Sequence, residues 1–164
     1  MTSLWGEEKI QVVTTPKKIL DEQANELKGY SNDLLYGDVV SFTPTKTMSP
    51  LEVNCERDFN YAFIIKSKYI EEYSYKVLSI HHNIKLFPLY LVLNDDFKES
   101  IKDDIASAGF PLNKTGLGEP FGSISVNNEE DMIKVLRIIL QSYLMKNILS
   151  SLISLAESNL NISK

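Results

Sequence analysis

Two apolar stripes near the C-terminus are out of phase with each other. Apolar residues recur at helical spacing from 132 to 144 and again from 145 to 160, but on nearly opposite sides of a helix. The first stripe comprises Met132, Val135, Leu136, Ile139, Leu140 and Tyr143. The second stripe comprises Met145, Ile148, Leu149, Leu152, Leu155 and Ala156. One straight helix packed on one core cannot bury both stripes.

This phase change leaves two arrangements open. In the first, the chain breaks near residues 144–147 into two helices, and Asn147 caps the second one. In the other, one long helix packs on its own domain with one half and on a partner with the other half. We favour the break because helices in globular proteins average about three to four turns. The second arrangement makes the second stripe a candidate interaction face for a homodimer or another protein.

The remainder of the chain carries signals of both helices and strands. Thr15 and Pro16 precede an apolar helical stripe that Gly29 can end. A second helix is predicted over 95–108, capped by Asn94 or Asp95 and followed by Gly109. Its residues at helical spacing, up to Ala108, should face inward. Turn-rich composition predicts loops over 43–54 and 110–122. Strand patterns cover 33–44, 59–66, 86–93 and 123–126.

The segment 69–82 is ambiguous between strand and helix. Ile70, Tyr73, Val77 and Ile80 follow helical spacing, whereas Tyr73, Tyr75 and Val77 alternate as they would in a strand. We favour a strand over 73–82, because the segment is rich in residues that form helices poorly.

These elements predict one α+β domain over residues 1–164. An antiparallel sheet of four or five strands should pack against the N-terminal helix and a C-terminal helical region at 129–160. Residues 1–14 are expected to form a tail or a short strand. A capping asparagine, Asn127 or Asn128, and the three acids that follow should begin the C-terminal helical region.

Charge and composition exclude several classes of function. The net charge is -5 and no basic cluster exceeds two lysines, so binding to nucleic acid through the phosphate backbone is not expected. One cysteine rules out an intrachain disulfide, and neither a signal peptide nor an uninterrupted apolar span is recognisable. We expect no membrane association and a cytoplasmic protein, and the abundance of Lys, Ile, Asn and Ser indicates a bacterial source.

The adjacent histidines His81 and His82 are interpreted as structural residues near the turn of a hairpin. Neighbouring residues of a strand point to opposite faces, so the two rings cannot both bind one metal ion, and one should face solvent. No spacing typical of a zinc site accompanies them. We therefore expect no metal and no cofactor.

Weaker patterns suggest chemistry without requiring it. Cys55 with a histidine could form a nucleophile pair, but the nearby acids Glu56 and Asp58 oppose thiolate formation. Asp58, Asp96 and Lys98 outline the acids and lysine of a metal-dependent nuclease, although such spacings are expected by chance in this composition. The stretch 113–118 has the residues of a phosphate loop in the wrong order and is interpreted as a loop.

Three functional hypotheses follow. The leading one is a non-catalytic binding or accessory protein of the immunity, inhibitor or assembly-subunit type, which binds a protein partner or a second copy through the C-terminal apolar face. The second is a nuclease-like hydrolase that uses Asp58, Asp96 and Lys98. The third is a small-ligand binder that uses a tyrosine-rich sheet face formed by Tyr61, Tyr73 and Tyr75. An enzyme is less expected than a binding protein, because no catalytic motif exceeds chance.

Overall fold

The computed structural model describes residues 3–114 and 118–162. Its five strands form one antiparallel sheet in the order β1-β2-β3-β4-β5, so every neighbouring pair of strands is also consecutive in the sequence. The strands are β1 (Tyr36–Ser41), β2 (Phe59–Lys66), β3 (Ser74–His82), β4 (Leu89–Leu93) and β5 (Ile124–Val126). The helices are α1 (Pro16–Tyr30), α2 (Pro50–Cys55), α3 (Asp95–Ser107), α4 (Glu129–Leu140) and α5 (Tyr143–Ile162). The predicted α+β fold is confirmed.

The main core lies on one face of this sheet. Leu89, Leu91 and Leu93 alternate along β4 into a core that they share with apolar residues of α1, α3, α4 and α5. Tyr90 and Val92 point to the opposite face, where they pack with Cys55 of α2. The two faces are therefore covered unequally, with four helices on one side and the short α2 on the other.

Local signals placed most elements correctly. Thr15 caps α1 by accepting a hydrogen bond from the Lys18 N–H, and Asn94 caps α3 through the Asp96 N–H. Asn128 caps α4 in the same way, ahead of the three acids. The segment 74–82 is a strand, as favoured, and its last residue immediately precedes the turn to β4.

Two local predictions are wrong. The loop predicted over 43–54 contains α2, which Ser49 caps and Pro50 begins. Ala108 was expected to face inward from α3 but is exposed at its C-terminal cap. Of the two forms expected for residues 1–14, the described residues 3–14 form a tail without a strand. Residues 115–117 lie outside the described part of the chain. They belong to the loop predicted over 110–122 and to the stretch 113–118.

The chain breaks between α4 and α5, as the phase change indicated. The two helices are bent by 58° relative to each other at residues 141–142. The expected position and cap are wrong, because Ser142, rather than Asn147, accepts the hydrogen bond from the Met145 N–H. The bend lets both apolar stripes reach the same core.

Candidate functional site

An apolar cleft of about 310 Å³ lies between α5 and the chain that leads into β3. Asn147, Ile148, Ser151, Leu152 and Leu155 form the helical wall, at spacings that place them on one face of α5. Ile70, Tyr73 and Tyr75 form the opposite wall. The cleft therefore joins half of the predicted interaction face to two of the three predicted tyrosines. We refer to it as the α5–β3 cleft.

Two large side chains at this cleft are substantially exposed. Leu155 is 55% exposed and Tyr73 is 44% exposed. The Asn159 side chain of α5 donates a hydrogen bond of 2.6 Å to the Tyr69 carbonyl oxygen, which joins the two segments that form the walls. A preformed apolar cleft with exposed apolar side chains at its edges is typical of sites that receive an apolar group.

Tyr75 connects the cleft to the start of α3. Its hydroxyl donates to the Asp96 carboxylate at 3.3 Å, and its ring meets Phe97 edge-on. Burial and the Asp96 charge raise the pKa of Tyr75 to about 12, so the hydroxyl keeps its proton at neutral pH. This wall of the cleft is therefore neutral, with a carboxylate behind it.

Most of the second apolar stripe is buried in its own domain. Met145, Leu149, Leu152 and Ala156 are buried, and Ile148 is partly buried against the same core. Only Leu155 among the six residues is largely exposed. The candidate interaction face is thus a narrow edge of α5 in the folded chain, and the phase change is explained by the break.

The three tyrosines of the ligand-binding hypothesis do not share one surface. Tyr61 pairs with Ile80 of β3, five residues along that strand from Tyr75, and its ring lies near His82. Tyr73 precedes β3 and Tyr75 is near its start. Only Tyr73 and Tyr75 line the α5–β3 cleft.

A second group of polar side chains lies under α2, on the other face of the sheet. Glu52 of α2 receives hydrogen bonds or ion pairs from three residues of β3: Lys76 at 2.6 Å, Ser79 at 2.9 Å and His81 at 2.9 Å. Burial alone would raise the pKa of Glu52, but these partners outweigh it and lower the pKa to about 2. We refer to Glu52, Asn60, Lys76, Ser79 and His81 as the Glu52 network.

The hydrogen bonds of the Glu52 network fix the orientation of the His81 ring. The Asn60 amide is oriented by two bonds to the Arg57 backbone, one to its N–H and one to its carbonyl oxygen. Its oxygen therefore faces the His81 Nδ1 at 2.7 Å, and Nε2 faces the Glu52 carboxylate at 2.9 Å. The Nδ1–H therefore donates to the Asn60 oxygen, and Nε2 lies within hydrogen-bonding distance of both Glu52 and Ser79.

The Glu52 network is closed to substrate. Ser79 and His81 are fully buried, and α2 with Phe42 covers them. An acid, a histidine and a serine in contact satisfy the composition of a nucleophilic site, but the Ser79 hydroxyl lies 2.9 Å from the Glu52 carboxylate and is enclosed under α2, so no substrate can approach it. The network therefore holds α2 on the sheet rather than performing chemistry.

His82 lies on the opposite face from His81, as adjacent strand residues must. It stacks on Phe59, and its Nδ1 lies 2.8 Å from the Asn83 carbonyl oxygen. The expectation that one histidine would face solvent is wrong, because α2 covers one ring and the aromatic side chains of β2 cover the other. The structural interpretation of both residues agrees with these contacts.

Cys55 is not an activated nucleophile. It is fully buried at the end of α2 beside Tyr90 and Val92. Burial, followed by the charge of Glu52, raises the pKa of this thiol to about 12.

The residues of the nuclease hypothesis lie apart. The Asp58 N–H bonds to Asn83 beside the β2–β3 pair that ends at Phe59 and His82. Asp96 contacts Tyr75 near the other end of β3, and Lys98 lies near Gly122. In residues 3–114 and 118–162, no three His, Cys, Asp or Glu side chains are grouped so that they could hold a metal ion. This arrangement gives the nuclease hypothesis no support.

Glu52, at the centre of the Glu52 network, was not predicted as a site residue from the sequence. The pattern Ser49-Pro50-Leu51-Glu52 combines a capping serine, a proline at the first helical position and an acid three residues after the serine, which is the signature of a helix start. This pattern could have predicted α2. Nothing in the sequence indicates that Glu52 would lie against His81, 29 residues away.

Comparisons with known protein families, curated proteins and solved structures gave no match. Among the described helices, none is by itself long and apolar enough to cross a membrane, and α4 and α5 reach that composition only as a pair bent by 58°.

Proposed function

We propose that this protein is a non-catalytic binding domain that receives an apolar side chain of a partner protein in the α5–β3 cleft. The observation that carries this proposal is the exposure of Leu155 and Tyr73 at the edges of a preformed apolar cleft. Protein interfaces obtain most of their affinity from a few anchors that fill such depressions. The proposal keeps the predicted class of function but assigns the contact to one edge of α5.

The charges beside the cleft favour a basic partner segment. Glu71 and Glu72 directly precede Tyr73, and the Asp96 carboxylate accepts a hydrogen bond from the Tyr75 hydroxyl. The whole chain has a net charge of -5. A partner segment with an apolar anchor flanked by Lys or Arg would therefore be attracted to this surface and oriented by it.

This mode of binding suits the three kinds of protein that the sequence suggested. Immunity proteins, inhibitors and assembly subunits all act by occupying a surface of another protein, and none requires its own catalytic group. We place the protein in a bacterial cytoplasm as part of the same proposal, on the composition of the chain.

A small apolar ligand is the second candidate occupant. The cleft volume of about 310 Å³ lies at the lower end of the range for small-molecule sites. Tyr73 and Tyr75 supply aromatic walls, and Asn147 and Ser151 supply polar groups that could orient a ligand. Native mass spectrometry of the protein purified from its own cell would detect such a ligand as added mass.

The test of the proposed function compares two variants of the cleft with a tyrosine control outside it. Tyr73→Ala and Leu155→Asp change the cleft, whereas Tyr143→Ala removes an exposed tyrosine from the start of the same helix, outside the cleft. Tagged versions of each would be expressed in the native cell, and the proteins that copurify would be identified and then purified separately.

We expect one partner to bind the wild type and Tyr143→Ala directly. Tyr73→Ala and Leu155→Asp should each weaken binding by roughly 30-fold, the effect of losing an anchor worth about 2 kcal/mol. Circular dichroism and denaturation midpoints must show that all three variants are folded. Recovery of the wild type without any directly binding protein, or equal affinities for all four proteins, would refute the proposal.

A further inference from the structure

The N-terminal segment 3–14, which we call the arm, is apolar but unpacked. Leu4 is 98% exposed and Trp5 is 91% exposed, and Ile10 and Val12 are similarly exposed. Val13 is 63% exposed. Isolated apolar side chains on a surface are ordinary, but five in twelve residues, with none of them buried, require a contact that the single chain does not provide.

A second unfilled apolar surface lies on the helical side of the molecule. An open groove of about 790 Å³ separates α1 from the α4–α5 pair. Ile19 and Leu27 form its near wall, Phe63 and Ile65 of β2 form its floor, and Ile133 and Leu140 form part of its far wall. It does not include the α5–β3 cleft, which lies on the side of α5 that faces β3.

We propose that the arm of a second copy of this chain occupies this groove, so that two copies exchange arms. The proposal is independent of the proposed function, because it uses a different surface. Two copies related by a two-fold axis would each donate an arm and each receive one. The unpacked apolar arm and the unfilled apolar groove would satisfy each other.

Charge complements the apolar match. The arm contains Glu7, Glu8 and Lys9, which gives it a net charge of -1. The charged residues that line the groove are Glu26, Arg137 and Lys146, which gives the groove a net charge of +1. An acidic arm is therefore attracted to the groove rather than repelled from it.

The geometry of the α1 cap favours the groove of another copy over the groove of the same chain. Thr15 is extended, its side chain is held by the Lys18 N–H, and Pro16 restricts it to that conformation. Residues 9–15 contain neither a turn nor a bend. Seven residues without a turn can span up to about 23 Å from the start of α1, whereas an arm docked in its own groove would have to reverse direction at the cap.

The experiment uses Trp5, the one tryptophan of the chain, as an intrinsic probe. The fluorescence of the full chain would be recorded over a wide range of protein concentration, alongside sedimentation equilibrium. Ile10→Glu changes the arm, and Ile133→Glu places a like charge on a groove residue that is already 38% exposed. Ile84→Glu is the matched control, because Ile84 is exposed in the β3–β4 turn and does not line the groove.

We expect Trp5 emission to move to shorter wavelength as concentration rises, in step with the appearance of dimers. Ile10→Glu and Ile133→Glu should each raise the concentration at the midpoint of this change by roughly tenfold or more, and Ile84→Glu should leave it unchanged. Circular dichroism and denaturation midpoints would establish that Ile133→Glu is folded. The arm variant provides the same test without altering any packed residue.

Three results would overturn the proposal. The first is a monomer at all concentrations with Trp5 in water. The second is a monomer whose Trp5 emission is blue-shifted at every concentration, which would place the arm in its own groove. The third is a dimer that neither Ile10→Glu nor Ile133→Glu weakens.

Discussion

Gly37 of β1 lies directly against Ala24 of α1. A Cβ atom at position 37 would come within 2.7 Å of the Ala24 Cα and 2.8 Å of its Cβ, both shorter than any ordinary contact. α1 can pack this closely on the edge of the sheet only because neither side chain extends beyond a methyl group. The pair therefore sets the position of α1, which forms one wall of the apolar groove.

We expect Gly37→Ala to lower the free energy of unfolding by about 1–3 kcal/mol, because the added methyl group forces α1 away from β1. Gly29→Ala is the control, since a Cβ at position 29 meets nothing within 4 Å. That change should raise stability by up to about 1 kcal/mol, the gain from replacing a helical glycine. Urea denaturation of both variants measures the difference, and equal effects would contradict the close approach.

Glu52→Gln tests whether the Glu52 network holds α2 in place. The substitution keeps the size of the side chain but removes the negative charge that Lys76 and His81 contact. We expect a loss of about 3 kcal/mol in the free energy of unfolding at pH 7, because an amide cannot replace the buried carboxylate that Lys76, Ser79 and His81 contact. Glu56→Gln, at the exposed C-terminal cap of α2, should change it by less than about 0.5 kcal/mol. If Glu52→Gln also lowered the free energy of unfolding by less than about 0.5 kcal/mol, the Glu52 network would not be stabilising the fold.

The pKa of Glu52 predicts how stability depends on pH. The carboxyl is lowered from 4.5 to about 2 in the folded chain, so the unfolded chain binds its proton first as the pH falls. This contribution is complete above pH 4.5 and disappears as the pH falls to about 2, and it amounts to about 3 kcal/mol. We expect the stability difference between the wild type and Glu52→Gln to shrink over that interval. A difference that stays constant from pH 7 to pH 2 would contradict the lowered pKa.

Cys55 should be unreactive in the folded protein. Because it is fully buried and its pKa is raised to about 12, a disulfide reagent such as Ellman's reagent should modify it only when the chain unfolds. We expect the rate of modification to rise in parallel with the fraction unfolded along a urea titration. Rapid modification without denaturant would restore the possibility of a reactive thiol.

Leu152 and Leu155 on α5 should respond very differently to the same substitution. Leu152 is 5% exposed and belongs to the main core, whereas Leu155 lies at the edge of the α5–β3 cleft. Leu152→Ala should lower the free energy of unfolding by about 2–5 kcal/mol, and Leu155→Ala by about 1 kcal/mol or less. Similar losses for the two variants would mean that the helix does not present the faces described.

The elements that the sequence predicted well are those with strong local signals. Thr15-Pro16 and Asn94 determine where helices begin through their own side chains and backbones. The alternation of residues over 74–82 indicates a strand, because successive strand residues face opposite sides of a sheet. The break between α4 and α5 was visible because the two stripes could not share one straight helix. Its position was not predictable, because Ser142 and Asn147 are both competent caps and packing decided between them.

The Glu52 network and the α5–β3 cleft were beyond the reach of local signals. Glu52 and His81 meet only because α2 crosses the second face of the sheet, and no spacing in the sequence specifies that crossing. The cleft joins Tyr73 to Leu155, which are 82 positions apart. Both depend on tertiary placement of a short or irregular segment, where hydrophobic periodicity carries little information.

The unequal covering of the sheet gives the molecule two distinct ways to open. Separation of the four helices from the main core exposes a large apolar area. Its free-energy cost should therefore fall steeply as the concentration of denaturant rises. Release of α2 alone uncovers Ser79, His81 and Asn60, which water can solvate, together with the small cluster around Cys55. The amide hydrogens of α2 should therefore exchange through a local event governed by acidity and ionic strength, while those of β3 and β4 exchange through the loss of the whole fold.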